Sequence, residues 1–549
     1  MSNKKRAGAF VKQAAILASA GVVVRLIGFA YRLPLTALIG DEGNGIYGAS
    51  YNIYLFFLVI SSAGFPTAIS KMVSVRIAKG AYYNAHEVFK TCLLLVSGLG
   101  LAAAVTLALG ANFFAWIINP DDLATYYSIL ALAPTVFLVA IMAVFRGYFQ
   151  GMSRTEPTAV SQLVEGIFNA VFTVVLAMMF LGATGDIAMG SAGATAGKGV
   201  GAFFGLLTLV FLYFLCSPII RQRVRNEDNR DVPRESRKEI AREAFSTAFP
   251  IIIGVAIFSI TNLIDTVMVN SILTGIGWEI TEVREAFGQL SGKFMPLTTL
   301  PVAVATAIAT AAIPSIAGSM SLGNVKEANF KINKAVRITM IFSIPAAVGI
   351  GVLGDQILML LYPTFPGGGI LLRVGSISII FMAISQIATG MLQGCGHMKI
   401  PMYAALIGAV VKIILNLILI RIPAINVVGS VISTTACYIV AAGINLYMLM
   451  QIMGPKARLN FVAIFVKPLM ASCVMALVSF SVYYVFFLAL NGVIGVIAAN
   501  AFSCILAIIA GALVYFVYMI VIKGLDEHDI ETFPKGARIN KLIKEIKGV

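Results

Sequence analysis

The stretch "GYFQGMSRTEP" (147–157) closes a long apolar run, and its pattern returns as "GMLQGCGHMKIP" (390–401). Gly147-x-x-Gln150-Gly151 answers to Gly390-x-x-Gln393-Gly394 at an offset of 243, and Pro157 to Pro401 at 244. In both copies two glycines stand four apart, the spacing that lets membrane helices approach closely. The proline falls near the start of the next helix, where a missing N–H costs nothing. The motif therefore predicts a tight helix hairpin, built twice.

Other segments repeat in step with it. "TAISKMVSVRIAKG" (67–80) lines up with "AAIPSIAGSMSLG" (311–323), pairing Ala68-Ile69 with Ala312-Ile313 and Gly80 with Gly323. Two related units follow, with this domain organisation: a six-helix repeat over 1–220, a linker over 221–243, a second six-helix repeat over 244–455, two added helices over 456–522 and a tail over 523–549. An even helix number makes such repeats parallel, related by an axis along the membrane normal. Proteins built this way bind substrate near the membrane midplane and expose it to each side in turn.

The setting of these motifs is an integral membrane protein. Of 549 residues, 59% are hydrophobic and 12% charged, where a soluble domain carries about a quarter charged residues. Apolar segments long enough to cross a bilayer recur along the chain. They are continuously apolar, unlike the alternating strands of a barrel. The expected fold is all-α and polytopic, with 14 transmembrane helices over roughly 14–39, 46–69, 89–112, 124–149, 158–181, 192–216, 244–270, 294–317, 336–361, 370–393, 402–421, 425–453, 459–488 and 493–522. The apolar run ahead of Ala18-Ser19-Ala20 is too short for a signal peptide, so the first segment reads as a retained helix.

Charge distribution assigns the sides. With the N-terminus in the cytosol, roughly 30 basic residues fall in cytosolic segments, and only Arg284, Lys293 and Arg421 fall clearly outside. Both termini are expected in the cytosol of a bacterial plasma membrane. The net charge of +15 then faces anionic lipid rather than nucleic acid. The linker reads as a solvated segment whose second half is a charged helix. The tail reads as a surface helix, with Ile539, Leu542, Ile543 and Ile546 on one side, or as a frayed end. The six cysteines and three histidines are scattered, so no disulfide framework, metal site or cofactor is expected. A monomer is expected.

The doubled hairpin, the two-unit plan and the two extra helices resemble the multidrug/oligosaccharidyl-lipid/polysaccharide exporter superfamily. Within it, "RLIGFAYRLPLTALIGDEGNGIYGASYNIY" (25–54) and "SSAGFPTAISKMVSV" (61–75) are similar to the polysaccharide-biosynthesis and stage V sporulation protein B branch, which includes MurJ-type lipid II flippases. The resemblance implies export of a lipid-linked sugar diphosphate, driven by Na+, H+ or the membrane potential.

Ionisable residues inside spans are costly and mark function by default. Here they are Arg25, Arg32, Arg146, Glu165, Lys198, Asp265, Arg373, Lys412 and Lys467, seven bases to two acids. A site for organic cations should lean acidic, and one for a pyrophosphate basic, because the guanidinium fork matches phosphate oxygens. Arg25 and Arg32 lie two helical turns apart and share a face. The resemblance gives them the head-group role, with Arg32 also able to snorkel outward. Arg373 and Arg146 are further substrate-binding candidates. The resemblance also implies a cation site, here Asp265, Asn416 and Thr434, whose oxygens suit a hard cation. Lys412, one turn before Asn416, could take the cation's place beside Asp265. Pro34, Pro66, Pro296, Pro301 and Pro314 suggest bent gating helices or ordinary kinks. For the two extra helices the resemblance implies a groove for a lipid tail. A drug or cation antiporter is the second reading. A membrane-embedded glycosyltransferase is the third, disfavoured because the loop at 271–293 offers only Glu279, Glu282 and Glu285, which read as a solvated face.

Overall fold

A computed structural model describes residues 19–120, 122–225, 233–454 and 460–524. The tail beyond 524 and the middle of the linker lie outside the described residues. All described secondary structure is helical. The first helix, α1, is Ser19–Ala30. It is followed by α2 Arg32–Ser62, α3 Phe65–Ala78, α4 Tyr82–Leu109, α5 Ala111–Ile118, α6 Thr125–Gly151, α7 Glu156–Thr184, α8 Ile187–Arg225, α9 Arg237–Gly275 and α10 Ile280–Gly288. A π-turn, Gln289–Phe294, leads into α11 Met295–Ser321. Then come α12 Val325–Val352, α13 Gly354–Leu361, α14 Gly369–Gly375, α15 Ser378–Gly394, α16 Lys399–Leu419, α17 Val428–Met453, α18 Lys467–Ile494 and α19 Val496–Val521.

Among the described residues, twelve helices are long and apolar enough to cross a membrane, or thirteen if α14 and α15, bent by 51°, count as one span. The expected count of fourteen is not confirmed by this count, which leaves out the shorter apolar helix Ser19–Ala30. The difference arises at the start. The expected loop at 40–45 is reduced to one residue: two helical stretches of α2 meet at Gly40, which alone leaves the helical region, at φ 65° and ψ −170°. Only glycine reaches that conformation cheaply. Three of the expected kink prolines do not bend helix interiors. Pro34 lies in the first turn of α2, and Pro66 and Pro296 sit at the first positions of α3 and α11. The break near the start belongs to Gly40.

The hairpin glycines are packed as their spacing predicted. A Cβ on Gly147 would stand 2.8 Å from the Pro66 carbonyl oxygen, and one on Gly151 2.9 Å from that of Ser70 and 2.7 Å from Val73 Cβ. In the other copy a Cβ on Gly390 would stand 2.7 Å from Ala309 Cβ, and one on Gly394 3.2 Å from the Ile313 oxygen and 3.3 Å from Ile316 Cβ. The partners 66, 70 and 73 recur as 309, 313 and 316, an offset of 243 each time.

The chain packs as two units, Met1–Gly292 with Asn416–Val427, and Lys293–Leu415 with Val428–Val549. These are not divided at the linker: α9 and α10 pack in the first unit. Ser236 caps α9 reciprocally with Glu239, a capping box that starts the helix sharply. In the first unit, α3, α4 and α6 enclose one apolar core around Phe65, Phe89, Phe145 and Phe149. In the second, α11, α12, α15 and α17 enclose another around Ile316, Val336, Ile387 and Met391.

Two charged segments, though most of their described charged residues are exposed, Glu279, Glu282 and Glu285 among them, also make contacts far along the chain. In the linker, Glu235 and Glu243 both pair with Arg76 of α3, which is 8% exposed. Asn84 of α4 donates to the Pro233 carbonyl at 3.0 Å. The 271–293 loop contains α10, whose Arg284 donates to Glu42 at 2.6 Å and forks onto Asp122 at 2.8 and 2.5 Å. Each buried cation thus recruits two carboxylates from segments distant in the chain.

Candidate functional site

The structure divides the candidate residues between the units. Arg25, Arg32, Arg146, Asp265 and Asn416 belong to the first, and Arg373, Lys412 and Thr434 to the second. Tyr31, between α1 and α2, keeps helical angles, and its N–H donates to the Ile27 carbonyl at 3.2 Å. The helical phase therefore continues from Arg25 to Arg32. Arg25 is exposed and Arg32 half-buried. Arg32 donates to the Ser291 carbonyl at 3.2 Å, which ties the start of α2 to the π-turn behind α10.

Asp265 and Asn416 come together. Asp265 is 2% exposed and Asn416 0%, and the Asn416 amide nitrogen donates to Asp265 Oδ1 at 3.0 Å. The Asn416 amide oxygen has no hydrogen-bond partner among the described residues. A buried acceptor left without a donor beside a buried carboxylate is a donor set a small hard cation would satisfy. Thr434 is buried in α17 and Lys412 is 1% exposed in α16. A buried ammonium is maintained only where something compensates it. No group of three His, Cys, Asp or Glu side chains suited to a metal occurs among the described residues.

Arg146 is already engaged: it donates to Glu165 at 2.7 Å and to the Ser161 hydroxyl at 3.3 Å. Arg373 lies 3.4 Å from Asp355, both side chains about half exposed. Such a pair holds little energy, so Arg373 keeps the capacity to exchange partners.

Sequence reasoning undervalued a polar group around α2 and α8. Tyr47 and Tyr51 stack, with ring centroids 6.0 Å apart and planes at 8°. The Tyr31 and Tyr47 hydroxyls are 3.2 Å apart. The Lys198 ammonium stands 5.5 Å above the Tyr51 ring, within cation–π reach. Asn52 donates to Thr266 of α9 at 2.9 Å, close to Asp265 in sequence. The available signal was the i, i+4, i+7 spacing of Tyr47, Tyr51 and Tyr54, one face of a helix. Small residues place Lys198 there. Cβ atoms on Gly193 and Gly197 would fall on the backbone of Leu176 and Thr173 in α7, and one on Gly201 2.7 Å from Asn169 Cβ. The glycine stripe brings α8 against α7, backbone to backbone.

Residues 10–320 match the family described as polysaccharide biosynthesis protein, and residues 291–418 match MatE. The chain is 30% identical over 455 residues to lipid II flippase MurJ of Bacillus subtilis (strain 168), covering 80% of this chain and 81% of that one. It is 23% identical over 531 residues to stage V sporulation protein B of the same organism, covering 96% and 98%. Among solved structures, a lipid II flippase MurJ in an inward closed conformation is similar with a TM-score of 0.66 at 15% identity, covering 92% of this chain and 98% of that one. An inward-facing multidrug resistance MATE family transporter is similar with a TM-score of 0.63 at 15% identity, covering 78% and 98%. At that identity the structural likenesses speak for the fold.

Proposed function

We propose that this chain, which belongs to the polysaccharide biosynthesis protein family, is a flippase carrying an undecaprenyl-pyrophosphate-linked cell-wall precursor, lipid II foremost, from the inner to the outer leaflet by alternating access. The chain is a multi-pass bacterial membrane transporter of the multidrug/oligosaccharidyl-lipid/polysaccharide exporter superfamily, not an enzyme. The finer assignment rests on one observation above others: the charges inside its spans are mostly basic, seven to two. A diphosphate crossing hydrocarbon needs compensating cations, and fixed guanidinium groups supply them without adding a mobile counterion.

In this reading Arg25 and Arg32 engage the diphosphate head group as it leaves the inner leaflet, with Arg373 and Arg146 as further contacts. Arg25, exposed and without a carboxylate of its own among the described residues, is the first of these to meet it. Asp265, Asn416 and Thr434 hold the coupling cation, or Lys412 substitutes for it at Asp265. Anionic lipids surround the cytosolic face, and both termini are cytosolic. Two clusters agree with the grouping of these segments onto common sides. Arg76, Glu235 and Glu243 unite segments assigned to the inside, and Arg284, Glu42 and Asp122 unite segments assigned to the outside. A wrong side for any one segment would have separated these partners.

A multidrug antiporter is the second reading, supported by the MatE match. The basic surplus weighs against it, since a cation-binding cavity would concentrate acids. Export of a teichoic, capsular or sporulation precursor remains within the same reading.

The test is depletion of the protein in its native cell, followed by leaflet-resolved analysis of lipid-linked precursors. Lipid II is expected to accumulate in the inner leaflet. Unchanged lipid II would refute the peptidoglycan assignment. Arg25→Ala is expected to abolish transport while the protein remains in the membrane, and normal transport by that variant would remove Arg25 from the binding site.

A further inference from the structure

Four helices of the first unit direct ionisable and aromatic groups inward. On α8 the large exposed apolar residues are Phe203, Leu207, Phe211, Phe214 and Leu215. At 100° per residue, Lys198 lies about 100–180° around the helix from them. On α7, Glu165 lies about 120–160° from exposed Val160, Ile167, Val171 and Met178. On α2, Tyr51 lies about 180° from Ile60, the large apolar side chain exposed there. Lys198 and Tyr51 therefore point away from the lipid-facing stripes of their helices, and Glu165, although Val175, Met179 and Phe180 are exposed within about 80° of it, is held toward Arg146 of α6. Lys198, Tyr51 and Glu165 are nevertheless incompletely buried. Partial exposure on an inward face means that they border a recess inside the unit.

The charges in that recess do not balance. Arg146 takes Glu165 at 2.7 Å and is held further by Ser161. Lys198 makes no ion pair among the described residues and rests instead over Tyr51. Two cations and one carboxylate leave a net positive charge. The tyrosines around it are held in place. Tyr31 and Tyr47 share hydroxyls, and Tyr54 is 1% exposed. Tyr51 alone of the four is incompletely buried, so the part of its ring that Tyr47 and Lys198 leave open can meet a ligand.

We propose that Lys198 and Tyr51 form a head-group subsite in the first unit, Lys198 binding anionic oxygens of a lipid-linked sugar and Tyr51 stacking on its sugar ring. The subsite rests on the flippase reading and adds to it a means of reading the sugar as well as the diphosphate. An ammonium is a point charge that donates to phosphoryl or carboxyl oxygens in many geometries. An aromatic face offers the apolar side of a pyranose a matching surface. Together they select an anionic sugar lipid over a bare lipid phosphate.

The test uses the purified full chain in detergent, with three probes: lipid II, undecaprenyl pyrophosphate and inorganic pyrophosphate. Binding is read by native mass spectrometry. Lys198→Gln is expected to weaken lipid II binding about tenfold or more, the scale of one lost charge-assisted contact. Lys198→Arg should retain most of it. Tyr51→Leu should weaken lipid II and leave undecaprenyl pyrophosphate nearly unchanged. Wild-type affinity for lipid II in a Lys198→Gln protein of unchanged melting temperature would overturn the subsite and leave the flippase reading standing. If Lys198→Gln does not fold, Tyr51→Leu decides, and equal losses for both lipid probes would overturn the sugar contact. Lysine-dependent binding of inorganic pyrophosphate without lipid II binding would make this a small-anion site and overturn the proposal. If the wild type binds neither lipid probe, the flippase reading itself fails.

Discussion

Gly201→Ala is the most informative single substitution for the architecture. A Cβ on Gly201 would stand 2.7 Å from Asn169 Cβ, 2.8 Å from the Glu165 carbonyl oxygen and 2.9 Å from Asn169 Cα. Ordinary contact begins at 3.4 Å, so α8 must move from α7 by about 0.6 Å, or α7 must bend. The neighbours are backbone and the first atom of a side chain, neither of which can rotate aside. Overpacking of this kind costs about 1–3 kcal/mol. Alanine's better helix propensity returns up to about 1 kcal/mol, so a net loss of about 1–2 kcal/mol is expected. Gly98 and Gly182 supply the control, because a Cβ on either meets nothing within 4 Å. There the propensity gain acts alone, and alanine should stabilise by about 0.5–1 kcal/mol. Thermal unfolding of the three variants in one detergent, followed by fluorescence-detected size exclusion, measures the contrast. A lower midpoint for Gly201→Ala and unchanged or higher midpoints for the controls are expected. A Gly201→Ala protein as stable as its controls would refute backbone contact between α7 and α8, and with it the placement of Glu165 and Lys198.

Arg284→Ala should destabilise the seat of α10 by about 2 kcal/mol, because Glu42 and Asp122 would be left facing each other without a cation. The figure is below that for a fully buried pair, since the three side chains are 11–20% exposed. Protease accessibility of the 271–293 segment reports it, and unchanged protection would contradict the ion-pair hub. For coupling, transport in vesicles with and without a sodium gradient separates two outcomes at Asp265. Sodium dependence, lost in Asp265→Asn, favours a cation held with the Asn416 amide oxygen. Sodium-independent transport lost in Lys412→Ala favours the lysine in its place.

Sequence alone determined the all-α, multi-pass fold class, because helix length and continuous apolarity are local properties that a bilayer enforces on each segment separately. It also placed the hairpins, since a glycine at four-residue spacing is needed wherever two backbones touch. It assigned Asp265 and Asn416 to one site through resemblance, and their 3.0 Å contact is what tertiary structure added. Three features were decided only by the folded chain. Arg76 and Arg284 looked like loop charges, yet each gathers two carboxylates 159 to 242 residues away in sequence. The turn at Gly40 replaced an expected loop, because one residue with positive φ redirects a helix without ending it. Lys198 looked like one weak candidate among nine. Its place over Tyr51, with Glu165 already committed to Arg146, depends on how four helices rotate about their axes. That rotation is set by packing, through the glycine stripe of α8, and no single segment encodes it.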